Sequence, residues 1–462
     1  MSGKRPLRAL GRAALCAALL SGCGGLPAPP SAERSAIAPA GMQALPPMRR
    51  FPSGPAAPAR RANDEMAQDF LDLSFRLETG RPLAAFSRFD GPMTVALAGQ
   101  VPASARTDLA ELLARLRAEA GLALSMAPAG TQAAITIEFL PRRKLQARAR
   151  DAACFVAPRV SSFAAYRRAG AATLDWTDYV HRTQATIFIP SDTGPQEIRD
   201  CLHEELAQTL GPLNDLFRLP DSVFNDDNIE GVLTGFDMLI LRATYAPELT
   251  PGMSEGEVAA RLPAIFARLN PAGNRAGTPA APTPRAFRDA IARALGPGNS
   301  PTGRQQAARQ ALEIAQGWQD GRTGFAWLTL GRVTGREDAN LARAAFSNAS
   351  ALYHGQGLPL HAAHADLQLA MFLLSVGEWD RALALSDASV PAAKAGRNAA
   401  LLAGLLMVKA EALERLGQTD AARPVRLDSL GWARYGMASD AEVRRRLALI
   451  DALADTAGKP NP

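Results

Sequence analysis

The sequence predicts an α+β unit followed by an all-helical unit. Three observations predict it. Strand-like and helix-like runs alternate between residues 93 and 210, prolines and glycines interrupt the pattern around 271–302, and two later segments align at an offset of forty residues.

The N-terminus comes first in the chain and reads as an export signal. Lys4, Arg5, Arg8 and Arg12 precede the apolar run Ala13–Leu20, which ends in Leu20-Ser21-Gly22-Cys23. The order of basic, apolar and small residues fits a removed signal peptide over 1–22, and the apolar run is too short for the ~30 Å of a bilayer core. Cys23 after Leu-Ser-Gly resembles the acylated residue of a bacterial lipoprotein. Gly24 follows, in place of the Asp associated with inner-membrane retention, so the resemblance implies the periplasmic side of a Gram-negative outer membrane. Several acyl chains bury enough methylene groups for stable anchoring.

The formal charge of +6 drops by four on loss of the four basic leader residues. This leaves little basis for nucleic-acid binding. Of the cysteines after processing, Cys23 is the acyl site, and Cys154 and Cys201 form an even pair in an oxidising compartment. They are expected to form a disulfide, with two separately buried thiols as the alternative. Residues 23–62, rich in Pro, Ala, Gly and Ser, read as a flexible lipidated tether.

The first folded unit is expected over 65–272, a linker with a short helix near 287–295 over 273–302, and the second unit over 303–455. In the first unit, Met93–Leu97 reads as a strand and Thr107–Ala120 as a helix carrying Leu109, Leu112, Leu113 and Leu116 on one face. Leu122–Met126, Ala134–Phe139 and Ala185–Ile189 read as further strands. A helix over about 195–210 buries Leu202, Leu206 and Leu210, places Glu204 and Gln208 together on another face, and stops at Gly211-Pro212. The turn then brings Asn214 or Asp215 back toward that polar pair.

The run His203-Glu204-Glu205-Leu206-Ala207-Gln208-Thr209-Leu210-Gly211 has the spacing of a zinc-peptidase helix without its ligands. Such helices place two imidazoles one turn apart, a water-activating glutamate beside the first, and a third ligand after a turn glycine. Aligned on Gly211, Glu205 takes the base position, Glu204 and Gln208 the imidazole positions, and Asn214 the third ligand position, with Asp215 adjacent. Aligned on His203, the second imidazole position is Ala207, which cannot ligate. His203 therefore reads as a partly buried network histidine. One carboxylate and two amides supply little charge for zinc. A hydrogen-bonded network is the simpler reading, and a hard divalent cation held by oxygen donors is the alternative.

Cys201–Asp215, Leu219–Asp227 and Leu233–Leu239 together resemble the bacterial domain of unknown function 2927 family, over roughly residues 65–272. The resemblance implies a divergent zincin-like domain of an exported protein, with Glu205 at the base position and Glu204, Gln208 and Asn214 at degenerate ligand positions. Asn225-Asp226-Asp227-Asn228 gathers oxygens but lacks the spacing of an EF-hand, so it reads as a polar or capping loop. Phe236–Tyr245 reads as a core-supporting helix containing Asp237, with lining of the cleft as the alternative. Tyr245 is a candidate hydrogen-bond donor there.

The second unit resembles tetratricopeptide repeats of lengthened period. Gly377, Asp380 and Ala382 repeat as Gly417, Asp420 and Ala422, with a weaker earlier unit over Phe325–Leu330 and Leu341–Tyr353. His361 and His364 share a helical face without an evident third ligand, so they read as packing residues, as do Trp379 and Trp432. The reading that follows is a non-enzymatic, lipid-anchored envelope protein that uses a pseudo-zincin unit and helical repeats for protein or peptide binding or scaffolding, with no cofactor. The alternative is a noncanonical metallopeptidase with Glu205 as general base and zinc or another divalent cation.

Overall fold

A computed structural model describes residues 44–457, apart from 129, 150, 151 and 336. Cys23, the expected signal peptide and residues 24–43 of the expected tether lie outside the described residues. Among the described residues, no helix is long and apolar enough to cross a membrane.

The N-terminal unit begins with α1 (Asn63–Ser74), followed by β1 (Arg88–Phe89), β2 (Met93–Gly99), α2 (Ala103–Ala120), β3 (Leu124–Met126), β4 (Ile135–Leu140), α3 (Arg142–Gln146), β5 (Phe155–Pro158), α4 (Phe163–Arg168), β6 (His181–Arg182), β7 (Ala185–Pro190), α5 (Pro195–Leu210), α6 (Gly235–Thr244) and α7 (Glu255–Leu269). Five strands form a sheet in the order β3-β2-β4-β7-β5, and β1 pairs with β6 apart from it. β2, β3, β4 and β7 run parallel, while β5 is antiparallel to β7 at one edge. Alternation decides the faces: Ile135, Ile137 and Phe139 of β4 join Ile187 and Ile189 of β7 in a core with α1, α2, α5, α6 and α7. The opposite face carries a smaller cluster of Leu145, Ala157, Val160, Phe163 and Phe188. β7 is buried along its whole length, as expected of a strand covered on both faces.

The helical unit comprises α8 (Arg285–Leu295), α9 (Pro301–Ala315), α10 (Gly321–Thr334), α11 (Ala339–Gly355), α12 (Pro359–Ser375), α13 (Trp379–Ala395), α14 (Ala399–Arg415), α15 (Thr419–Gly436) and α16 (Asp440–Ala454). Consecutive helices pack against one another, and α12 also meets α14 and α16. The forty-residue offset is real in three dimensions. Gly377 (φ 80°) and Gly417 (φ 75°) both turn the chain in the left-handed region, two residues before α13 and α15, and Ala382 and Ala422 are both fully buried.

Two expected boundaries shift. The helix near 287–295 is not part of an open linker, because Phe287, Ala290, Ile291 and Ala294 of α8 are in the same core as α9 and α10. The segment expected as the end of a flexible tether is a packed strap. Over 44–62 the Arg49 amide donates to the Gly431 carbonyl at 2.9 Å, Phe51 stacks on Trp432 at 4.3 Å, and the Ala56 amide donates to Glu119 at 2.9 Å. Arg50 bonds Asp108 of α2, while Arg397 in the turn before α14 donates to the Gly54 carbonyl at 2.7 Å. A Pro- and Ala-rich composition describes a chain without its own core, and this strap borrows the surfaces of both units.

The units also meet directly. Phe217 and Ile229, from the loop after α5, pack in the helical core with Phe287 and Phe325. His361 Nε2 lies 3.0 Å from Asp227 Oδ2, Gln196 of α5 donates to Asn398 at 3.1 Å, and Tyr435 donates to Asp108 at 3.1 Å. The N-terminal ends of α12 and α14 therefore face the chain's own α/β unit.

Candidate functional site

The site is built on α5. Pro195 at its first turn needs no amide partner, and Leu202, Leu206 and Leu210 lie on the sheet with no exposure. Each such leucine contributes about 1.5–3 kcal/mol by leaving water. Cys201 forms a disulfide with Cys154, just before β5, which ties the helix to the sheet edge across 47 residues.

The end of α5 is held by side chains that the sequence did not single out. An α-helix leaves its last carbonyls without intrahelical partners and carries partial negative charge there. Arg182, fully buried on β6, donates to the carbonyls of Gln208 at 3.1 Å, Thr209 at 2.7 Å and Gly211 at 2.7 Å. Tyr245 donates to the Leu210 carbonyl at 2.9 Å. The expected polar role of Tyr245 is thus a helix-end contact. Burial draws the Arg182 guanidinium down to about 10, and its face rests on Trp176 at 5.0 Å. Gly211 ends the helix as expected, with φ at −171°. Glycine is required there by space, since a Cβ would come within 2.8 Å of Thr244.

The motif side chains then divide. Gln208 points toward Asp215, its amide 3.2 Å from Oδ2, so the turn returns Asp215 to the polar face. Asn214 turns elsewhere, donating to the Asp72 carbonyl at 2.9 Å and leaving its own buried Oδ1 without a partner. His203 lies on a third face, where its Nδ1 accepts the Leu233 amide at 3.1 Å; burial, followed by Arg199, Arg115 and Arg397, keeps it neutral far below the usual imidazole range. It is a network histidine, as its register predicts.

Glu205 is 4 % exposed and its Oε2 has no hydrogen-bond partner. Burial pushes its carboxyl well up, and the charges of Glu204 and Glu78 push it further. Asp215, 2 % exposed, is raised well above the carboxylate range by burial and then by Glu78, Asp226 and Glu204. Glu78 is the residue that sequence reasoning missed. It stands on a tight turn in which the Leu77 amide bonds the Arg81 carbonyl at 2.9 Å, and its carboxyl hydrogen-bonds both Asp215 and Gln208. Burial raises Glu78 too, so both acids are held above the ordinary carboxylate range where they meet. Arg288 of α8 donates to the Glu78 carbonyl at 3.1 Å and holds the turn in place. Only the turn signal Thr79-Gly80 was visible in sequence; its partners lie more than a hundred residues away.

This arrangement does not fit a zincin ion. Of the four expected ligand positions, Gln208 and Asp215 are tied to each other and to Glu78, Asn214 donates outward, and only Glu204 contributes a second carboxylate near Asp215. Among the described residues, no group of three or more His, Cys, Asp or Glu is arranged to hold a metal ion. The adjoining cavity, about 160 Å³, is lined by Asn214, Asp215, Arg218, Arg76 and Arg288. It is smaller than the several hundred Å³ of ordinary small-molecule sites.

The remaining candidates are structural. Asn225 Oδ1 accepts the Asp227 amide at 3.1 Å, and Asp227 meets His361, so the polar run 225–228 is a loop that docks on the helical unit. Asp237 caps α6 and accepts from Ser222 at 2.6 Å and from the Val223 amide at 3.2 Å; burial still raises it to about 6. His361 and His364 do not form a ligand pair: His361 meets Asp227, and His364 lies 3.5 Å from the Asn398 amide. Trp432 packs on Phe51, and Trp379 is half-buried against the helical core.

No curated protein and no solved structure matches the chain. Residues 63–264 match the model of a family described as protein of unknown function, DUF2927, and that match supports this family for the α/β unit.

Proposed function

We propose that this chain is a non-catalytic, lipid-anchored cell-envelope protein, in which a zincin-like unit with degenerate ligand positions and a tetratricopeptide-like array form one scaffold for contact with another macromolecule. The observation that carries the reading is the sealing of Glu205. A general base must come within hydrogen-bond reach of a water and a substrate. Glu205 is 4 % exposed, and burial together with the charges of Glu204 and Glu78 holds its carboxyl well above the usual range.

The strap and the Asp227–His361 contact support a scaffold in which both units move as one body. Partners then meet outward surfaces, such as the sides of the helical unit that carry exposed Val376 and Leu427. The N-terminal export and acylation pattern supports placement at the periplasmic side of an outer membrane, with Cys23 as the anchor.

A broad peptide library tests the catalytic side. The parent chain and Glu205→Gln are expected to show the same background cleavage; hydrolysis present in the parent and absent in the variant would establish the metallopeptidase alternative. Labelling with radioactive palmitate tests the anchor, with incorporation expected in the parent and lost in Cys23→Ser.

A further inference from the structure

Positive charge is unevenly distributed. Residues 139–174 hold eight basic residues and one acidic residue, while the whole chain has an excess of only six, so the remainder is slightly acidic. Folding places this stretch on one side of the sheet. β4 and β7 turn Ile137 and Ile187 toward α5 and the main core, and Phe188 toward α3 and α4. Leu145 of α3 and Phe163 of α4 anchor the two short helices on Phe188. The helical unit meets α5 through α15, and Arg143, Lys144, Arg167 and Arg168 stay exposed.

Two cations of the stretch are already neutralised: Arg142 pairs with Glu197, and Arg159 with Asp178. Arg143, Lys144, Arg148, Arg167 and Arg168 are exposed, and among the described residues none has an ion-pair or side-chain hydrogen-bond partner. Tyr166 lies among them, half-buried, its ring 5.3 Å from Phe155 and 5.9 Å from Phe163, with the charge of Arg148 reaching its phenol.

We propose that this face is a membrane contact, lying against an anionic lipid surface. An anionic leaflet attracts a basic cluster without shape complementarity, at short range set by ionic screening. A half-exposed tyrosine with an apolar body suits the head-group level. Single-stranded nucleic acid calls instead for several aromatic platforms along a groove, and this face offers one tyrosine. The contact is separate from the acyl anchor at Cys23 and does not depend on it. With both present, orientation is fixed: the basic sheet face turns toward lipid and the helical unit away from it.

The test uses the processed full chain carrying Cys23→Ser, so that the patch alone can hold it to lipid. Co-sedimentation is measured with vesicles of phosphatidylcholine alone or with 30 % phosphatidylglycerol, at low and high salt. Each basic side chain near an anionic leaflet accounts for about a fivefold factor in partitioning. The combined variant Arg143→Ser, Lys144→Ser, Arg167→Ser, Arg168→Ser is expected to lose binding to anionic vesicles by at least tenfold. An equal charge change at exposed Arg309, Arg423, Arg444 and Arg445 is expected to leave it within twofold. Both variants should keep the parent melting temperature. Wild-type binding that ignores phosphatidylglycerol, equal loss in both variants, or retention on heparin or RNA without retention on vesicles overturns the proposal.

Discussion

Arg182 donates to the Thr209 carbonyl at 2.7 Å, and with its bonds to Gln208 and Gly211 it closes the end of α5 without a carboxylate partner. A buried cation is tolerated there because the helix end supplies negative partial charge from several carbonyls at once. Replacing it by methionine removes the donor from the Thr209 and Gly211 carbonyls, leaves Gln208 only the Gly211 amide, and is expected to destabilise the chain by about 3 kcal/mol or more. Lysine is expected to rescue little, since a single ammonium cannot span the three acceptors. Urea midpoints of Arg182→Met and Arg182→Lys check this.

The disulfide between Cys154 and Cys201 closes a loop spanning 47 positions. Chain entropy alone gives a stabilisation of about 4 kcal/mol for a loop of that size. Cys154→Ala with Cys201→Ala should lower the urea midpoint accordingly, and added reductant should bring the parent down to the same value. An unchanged midpoint would show that the unfolded chain is not what the bridge restrains.

The strap makes the two units cooperative. Phe51→Ala removes the stack on Trp432, and Arg50→Ala removes the ion-pair partner of buried Asp108. The double variant is expected to exchange amide hydrogen faster in α2 and α15, while the β4 and β7 amides stay protected. Its thermal transition should broaden or split, where the parent melts in one step. Equal acceleration across the whole chain would point to global destabilisation and contradict a clasp.

Stability should respond to pH in two opposed ways. Glu230 and Asp226 are pushed up to about 8, chiefly by burial and then by Asp237 and Glu78 respectively. In the fold they keep protons that the unfolded chain releases above about pH 4, so stability falls as pH rises from about 4 to about 8. Glu230→Gln with Asp226→Asn should flatten that fall. His364 is drawn down to about 3 by burial, then by Arg332 and His361, so it stays neutral in the fold. The unfolded imidazole binds a proton below about 6.5, and stability is lost as pH drops from there toward 3. His364→Gln should weaken that acid limb. Melting temperatures of parent and variants from pH 4 to 9 check both signs.

How much of this was legible in the sequence follows from how far each contact reaches along the chain. The helix expected over about 195–210 is Pro195–Leu210, because its leucine period, its first-turn proline and its terminal glycine are all local signals. The repeat of Gly377 and Gly417 was legible for the same reason. Glu78, Arg182 and the strap were not. Each acts on a partner many residues away, and nothing in Glu78-Thr79-Gly80 announces a carboxyl aimed at Asp215. The motif itself misled in one respect: spacing placed Asn214 at a ligand position, whereas the turn at Gly211 delivers Asp215 there and sends the Asn214 amide to Asp72.

The central claim is that the polar face of α5 is filled by its own hydrogen-bonded side chains. Calorimetric titration of the metal-stripped chain with zinc and with calcium, paired with elemental analysis of the chain as purified, tests it most directly. The account predicts well under one bound ion per chain and no binding heat that depends on Glu204, Gln208 or Asp215. One tightly held ion per chain, lost in Glu204→Gln or Asp215→Asn and kept in the remote variant Arg309→Ser, would contradict it.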